Sequence, residues 1–272
     1  KPKCIVYTNL VCDANLVTFR ALAELFDVPA FAIDVPMQQN ADNVRYVADQ
    51  LRELAKFLEQ QTGKKIDISR VKRRVARTQH TMRNYDAFQT KRADRYIPAD
   101  LVSPLYAGMT GNILLGTQEE LHYTQMLLRD VERAKPAMGK RIYWMHTIPF
   151  WSDAVKDALI LNDDVQIVGC ELSQATDISR HSEDPYEEMA MRLIYHALNG
   201  PISRRINAGI RHAKQAGADG VVWFNHWGCK HTLGGSRIAK KCFEEAGLPT
   251  LILDGDGCDR SHGGEGQTST RL

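Results

Sequence analysis

The stretch Gly220–Gln267, reading GVVWFNHWGCKHTLGGSRIAKKCFEEAGLPTLILDGDGCDRSHGGEGQ, constrains this chain most. Val221, Val222, Trp223 and Phe224 form an unbroken apolar run with β-branched members, which predicts a buried strand. Cys229 falls just past it. A helix is predicted to open over Thr232–Ser236 and to run to about Ala246, where Gly247 stops it. Thr250 to Leu253 predict a second buried strand, ending at Asp254. Together these make a β-loop-α-β unit with a cysteine at the carboxyl end of its first strand. Open α/β sheets gather ligands and catalytic groups at that edge.

The front of the chain repeats the arrangement. Lys3 to Thr8 predict a strand, and Cys12-Asp13-Ala14-Asn15 opens a helix to about Phe26, with Leu16, Phe19, Leu22, Ala23 and Phe26 at helical spacing. Val28 to Val35 predict the next strand, which Pro36 ends. A thiol again follows the first strand, here Cys12. Asn40 to Gly63 predict an amphipathic helix with a stripe of Val44, Val47, Leu51, Leu54 and Leu58. Further helices are predicted over 67–95, 105–115 and 118–133. From Arg141 the order is strand (141–148), helix (153–161), strand (166–170), helices (184–197 and 202–216), then the unit described first. That alternation predicts a parallel doubly wound sheet. The expected fold class is α/β: two doubly wound, Rossmann-like or flavodoxin-like halves with an inserted helical segment. The expected division is 1–39 for the rest of an N-terminal α/β domain, 40–137 for the helices, and 138–272 for a C-terminal α/β domain.

A chain of 272 residues buries roughly 75% of its unfolded surface and folds without covalent staples. Net charge +2 and a pI near 8.2 give no global attraction to nucleic acid. No apolar run reaches the ~18 residues of a membrane span, and no secretory leader is visible. The six cysteines form no tight CxxC pair. Without a leader they point to a reducing, cytoplasmic setting and hence to burial or metal chemistry rather than disulfides. The chain starts at Lys1 and stops on Thr270-Arg271-Leu272, which resembles a helix start, so further sequence is expected on both sides.

Candidate chemistry collects at strand ends. A helix begins after Cys12 and after Cys229, and helix amino ends favour thiolate; small residues in tight turns would produce the same pattern. His146 and Glu171 end strands of one sheet and are candidate acid or base residues. The competing role for each is a satisfied polar group at a sheet edge, and His226 carries the same ambiguity. The run Asp254–Asp259 is not a calcium loop: Cys258 and Asp259 stand where an EF-hand requires Asp or Asn and then Gly. It fits a substrate-facing loop better, with Asp256 its candidate contact. Gly234-Gly235 is no dinucleotide fingerprint. Between Lys64 and Arg95 eleven basic residues stand against three acidic ones. Arg70, Arg73, Arg74 and Arg77 share a helix face, either solvated or anion-binding. No aromatic residues interleave with them as a nucleic-acid platform would need.

The segments NHWGCK (225–230), EEAGLPTLILDGDGCDR (244–260), GQTSTRL (266–272), YTNLVCDAN (7–15), VPAFAIDVP (28–36) and EQQTGKKID (59–67) resemble the 2-hydroxyacyl-CoA dehydratase and benzoyl-CoA reductase family. The resemblance spans essentially the whole chain. It implies an enzyme subunit that holds a four-iron four-sulfur cluster through three cysteines, of which Cys12 matches the second and Cys229 the third. The first is expected upstream of Lys1, since Cys4 lies inside a strand. It further implies a homologous second subunit, an ATP-hydrolysing iron–sulfur activator protein, and an acyl-CoA substrate. Asn225, Trp227, Asp256, Gln267, Arg70 and Arg74 are then the candidate substrate contacts. In the resembling dehydratases one electron converts the thioester carbonyl to a ketyl radical and the 2-hydroxyl leaves. An iron without a protein thiolate could act there as a Lewis acid. Within the family, a benzoyl-CoA reductase-like or double-cubane reductase subunit is the alternative. Outside it, the alternative is a two-domain ligand-binding protein with no redox role.

Overall fold

The computed structural model describes residues 1–98, 111, 113–173, 179–262 and 264–272. The helix expected over 105–115 lies mostly outside the described residues. The chain forms two compact units, Lys1–Gln79 with Thr176–Arg204, and His80–Ala175 with Arg205–Leu272.

In the first unit, β1 (Ile5–Thr8) pairs in parallel with β2 (Ala30–Ile33), Ile5 opposite Ala30 and Thr8 opposite Ile33. The crossover between them is α1 (Asp13–Phe26), with Cys12 at its N-cap. Tyr7 of β1 and Phe19 of α1 stack at 6.2 Å between centroids. The next helix, α2 (Ala41–Thr62), starts where the Asn40 side chain accepts from the Asn43 N–H and ends at Gly63, whose φ is 70°. Its stripe of Val44, Val47 and Ala48 closes on Ala190 and Ile194 of a helix over Pro185–Ile194, with Val35 completing the cluster. Arg52 joins Asp184, the N-cap of that partner helix, across the contact. The basic helix α3 (Ile68–Arg92) contains the boundary between the units.

The second unit continues with α4 (Gln118–Arg133) and is built on four parallel strands: β3 (Lys140–Met145), β4 (Val165–Cys170), β5 (Gly220–His226) and β6 (Thr250–Gly255), in the order β4-β3-β5-β6. The helices are α5 (Asp153–Leu159), α6 (the Pro185–Ile194 helix of the first unit), α7 (Ile202–Gln215), α8 (Lys230–Leu233), α9 (Ser236–Glu245) and α10 (Glu265–Arg271). Val222 and Phe224 of β5 join Trp144, Ile167 and Leu253 in the core that α5 covers through Val155 and Leu159. Trp223 points the other way and meets Phe243 of α9 edge-on at 6.4 Å. Both faces are therefore covered, which is why β5 reads as continuous apolar sequence rather than alternation. The α/β class and the parallel sheets are as expected. One element differs: the single helix predicted from Thr232–Ser236 to Ala246 is two, α8 and α9, because the chain turns at Gly234-Gly235 before Ser236 restarts it.

Candidate functional site

The order β4-β3-β5-β6 makes β3 and β5 neighbours whose onward connections diverge. Such a switch point opens a crevice at the carboxyl ends of the two strands. His146 follows β3 and His226 ends β5, and their rings stack there at 6.2 Å and 30°. His146 has φ 77°, a left-handed backbone that few side chains adopt. Its backbone N–H donates to Glu171 Oε2 at 3.0 Å, and its Nε2 is enclosed without a hydrogen-bond partner. Burial, then the nearby Arg205, His226 and His231, push its pKa down to about 3, so the ring is neutral at pH 7.

Glu171, directly after β4, grips Arg205 of α7 in two parallel bonds, Nε to Oε1 and Nη2 to Oε2, both 2.6 Å. With the His146 N–H its carboxylate accepts three donors. Arg205 is 1% exposed. Its guanidinium lies 4.8 Å over the Trp223 ring, and its Nη1 donates to Thr232 Oγ1 at 3.0 Å, with His231 Nδ1 at 3.2 Å. A buried pair of this kind costs about 3–5 kcal/mol to break, because one charge is left uncompensated.

Thr232 leads to the thiol. Cys229 is the N-cap of α8, with extended backbone (φ −109°, ψ 98°), and its half-buried sulfur accepts from Thr232 Oγ1 at 3.2 Å. Gly228 before it leaves room for His226: a Cβ there would lie 2.9 Å from His226 Nε2. Cys12 occupies the same local position at the start of α1, extended at φ −135° and exposed. Each is a thiol at a helix start, the setting that favours the thiolate form an iron–sulfur cluster takes as ligand. Cys170 does not fit: it is fully buried, and burial pushes its thiol up to about 12. Cys242 lies within α9 and away from any helix start.

The loop after β6 meets the same edge. Asp256 Oδ1 accepts from the Cys258 and Asp259 N–H groups at 2.8 and 3.1 Å, and Oδ2 lies 3.3 Å from His262 Nδ1. The two backbone bonds, then His262, hold its carboxyl below the usual range. His226, Asp256 and Cys258 place potential ligand atoms within 4.8 Å of one another. However, His226 Nδ1 already accepts from the Gly257 N–H at 3.0 Å, so those groups order the loop as they stand. Asn225 is buried between neighbours, accepting from Trp223 Nε1 at 3.1 Å and donating to Asp254 at 2.8 Å. Trp227 is 52% exposed and 6.4 Å from the His262 ring. Gln267 lies exposed on α10; Arg70 and Arg74 lie exposed on α3.

Of the residues singled out from sequence, His146, Glu171, Asn225, Trp227, Asp256 and Cys229 thus share one sheet edge, while Cys12, Arg70 and Arg74 belong to the other unit. Arg205 and Thr232 were not anticipated. A signal existed for Arg205: it shares the apolar face of α7 with Ile206, Gly209 and Ala213, where an arginine needs a partner.

A family model described as 2-hydroxyglutaryl-CoA dehydratase, D-component, matches residues 1–272. A relative from Clostridium sporogenes named (R)-phenyllactyl-CoA dehydratase alpha subunit is 22% identical over 294 residues, covering 100% of this chain and 69% of the relative. Among the described residues no helix is long and apolar enough to cross a membrane.

Proposed function

From the premise that the chain belongs to the 2-hydroxyglutaryl-CoA dehydratase D-component family, we propose that it is the iron–sulfur subunit of a 2-hydroxyacyl-CoA dehydratase, acting with a related second subunit and an ATP-dependent activator. The observation that carries this reading is Cys229: an accessible thiol on a helix start, at the sheet edge His146 and His226 occupy, with a hydroxyl aimed at its sulfur. Cys229 and Cys12 are the thiolates this chain would offer a [4Fe-4S] cluster. When bound, the cluster would supply the low-potential electron that makes loss of an unactivated 2-hydroxyl feasible.

The chain's own groups do the rest. His146, neutral at pH 7 and with an unpartnered Nε2 that is enclosed before substrate enters, is the candidate hydrogen-bond donor to the acyl thioester oxygen. Glu171 positions it, holding the His146 N–H on one side and Arg205 on the other. Trp227 offers an exposed aromatic face beside the crevice for the acyl portion. Arg70 and Arg74 offer charge to the CoA phosphates.

Anaerobic reconstitution of the full-length subunit with iron and sulfide tests the reading. About four irons and a broad absorption near ~400 nm are expected. Cys229→Ser should lose most of the iron, while Cys242→Ser should keep it. A colourless wild-type protein, or a Cys229→Ser variant with full iron and activity, would return the chain to a non-redox binding role.

A further inference from the structure

Thr232 is fully buried, three residues past Cys229. A threonine hydroxyl has one proton and two lone pairs. Arg205 has only protons to give, so its 3.0 Å bond takes a lone pair of Thr232 Oγ1 and leaves the hydroxyl proton to point elsewhere. The Cys229 sulfur is where it points, at 3.2 Å. Arg205 cannot drift from this duty, because Glu171 fixes its other edge with two 2.6 Å bonds and Trp223 backs its face. The relay Glu171–Arg205–Thr232–Cys229 thus ends in a side-chain donor of fixed direction on the Cys229 thiol.

We propose that Thr232, aimed by the Arg205–Glu171 pair, is the positioning residue that tunes the Cys229 sulfur as a cluster ligand, holding iron more tightly and raising the cluster's reduction potential. This rests on the ligand role of Cys229 proposed above. The physical ground is that a hydrogen bond to a ligating sulfur stabilises the more negative, reduced cluster, and that partners outside the ligand shell orient the ligands themselves. The relay is neutral as a whole, since the Arg205 and Glu171 charges offset. It therefore adds a directed dipole without drawing solvent into the site.

The experiment uses the intact, anaerobically purified enzyme with its cluster. Thr232→Val keeps the shape and removes the donor; Thr232→Ser restores it. Two quantities are read: the cluster midpoint potential, by redox titration followed with electron paramagnetic resonance, and the rate of iron loss to a chelator. Thr232→Val should shift the potential to a more negative value and lose iron about tenfold faster, and Thr232→Ser should match wild type in both. A helix-capping role alone would leave the potential unmoved. If Thr232→Val does not fold, Thr232→Ala, which only deletes atoms, is read in its place. Wild-type values for both quantities in the donor-less variant overturn the relay. Cys229→Ser separates the two levels: if it loses iron while the donor-less variant behaves as wild type, only the relay falls, and if it retains iron, the ligand assignment falls and takes the relay with it.

Discussion

His146 is held where an ordinary side chain would not rest. At φ 77° the left-handed backbone costs roughly 1–2 kcal/mol in a residue with a Cβ, and asparagine tolerates that region well. His146→Asn should therefore fold with little loss of melting temperature, while its shorter amide misplaces the donor. A fall in kcat of about 10²-fold is expected, the scale of losing one oxyanion donor. An unchanged kcat would remove His146 from the chemistry. Acid stability gives a second readout. The native His146 pKa lies near 3 and that of His212, lowered chiefly by burial, near 4, whereas unfolded histidine titrates near 6.5. Below pH 6.5 the unfolded chain therefore binds protons that the native state refuses, so stability falls as pH drops from about 6.5 toward 3. Removing His146 should make that decline shallower in urea unfolding between pH 6 and 4, and an identical slope would show that the ring is not buried neutral.

Among the elements, α7 links packing to the site. Gly209 faces the sheet so closely that a Cβ would lie 2.8 Å from Phe243 Cζ and 2.9 Å from Met145 Cε. Arg205 sits one turn earlier on the same face. Gly209→Val should cost about 1–3 kcal/mol by overpacking, read as a lower urea midpoint. By pushing α7 off the sheet it should also loosen Arg205 from Glu171 and Thr232 and speed iron loss to a chelator. Loss of stability with wild-type iron retention would show that the relay tolerates movement of its helix. The extent of α7 was legible in the sequence, as were β5, β6 and both ends of α2, because each rests on a local rule: a proline before the first turn, an unbroken β-branched run, an Asn cap and a Gly stop. The site was legible only in part. His146, Glu171 and Cys229 stand at strand ends, and strand ends can be found by pattern. Arg205 and Thr232 matter through partners 34 residues apart in the Arg205–Glu171 bond and 27 in the Arg205–Thr232 bond, and no local rule encodes such pairings. The α8–α9 break was missed because Gly234-Gly235 can equally sit inside the opening turn of one helix.

The whole molecule adds two properties that no single element has. Its compact units are discontinuous, Thr176–Arg204 grouping with Lys1–Gln79, and no change of composition marks that return. Its charge is also unevenly spread: the total is only +2, yet α3 opens with Arg70, Arg73 and Arg74 exposed on its first turns. On the proposed reading, a CoA ester with its several phosphate charges would be steered by this face rather than by the net field. Exposed charges act over about 10 Å at 0.1 M salt and only about 3 Å at 1 M. Replacing Arg70 and Arg74 together by serine should therefore raise KM for the acyl-CoA several-fold at low ionic strength, leave kcat unchanged, and lose most of its effect as salt approaches molar concentrations. The split matters: contacts that hold ground and transition states equally act on KM and not on kcat. A KM equal to wild type at low salt would assign the face to solvent and move the search for the CoA site to the crevice between β3 and β5.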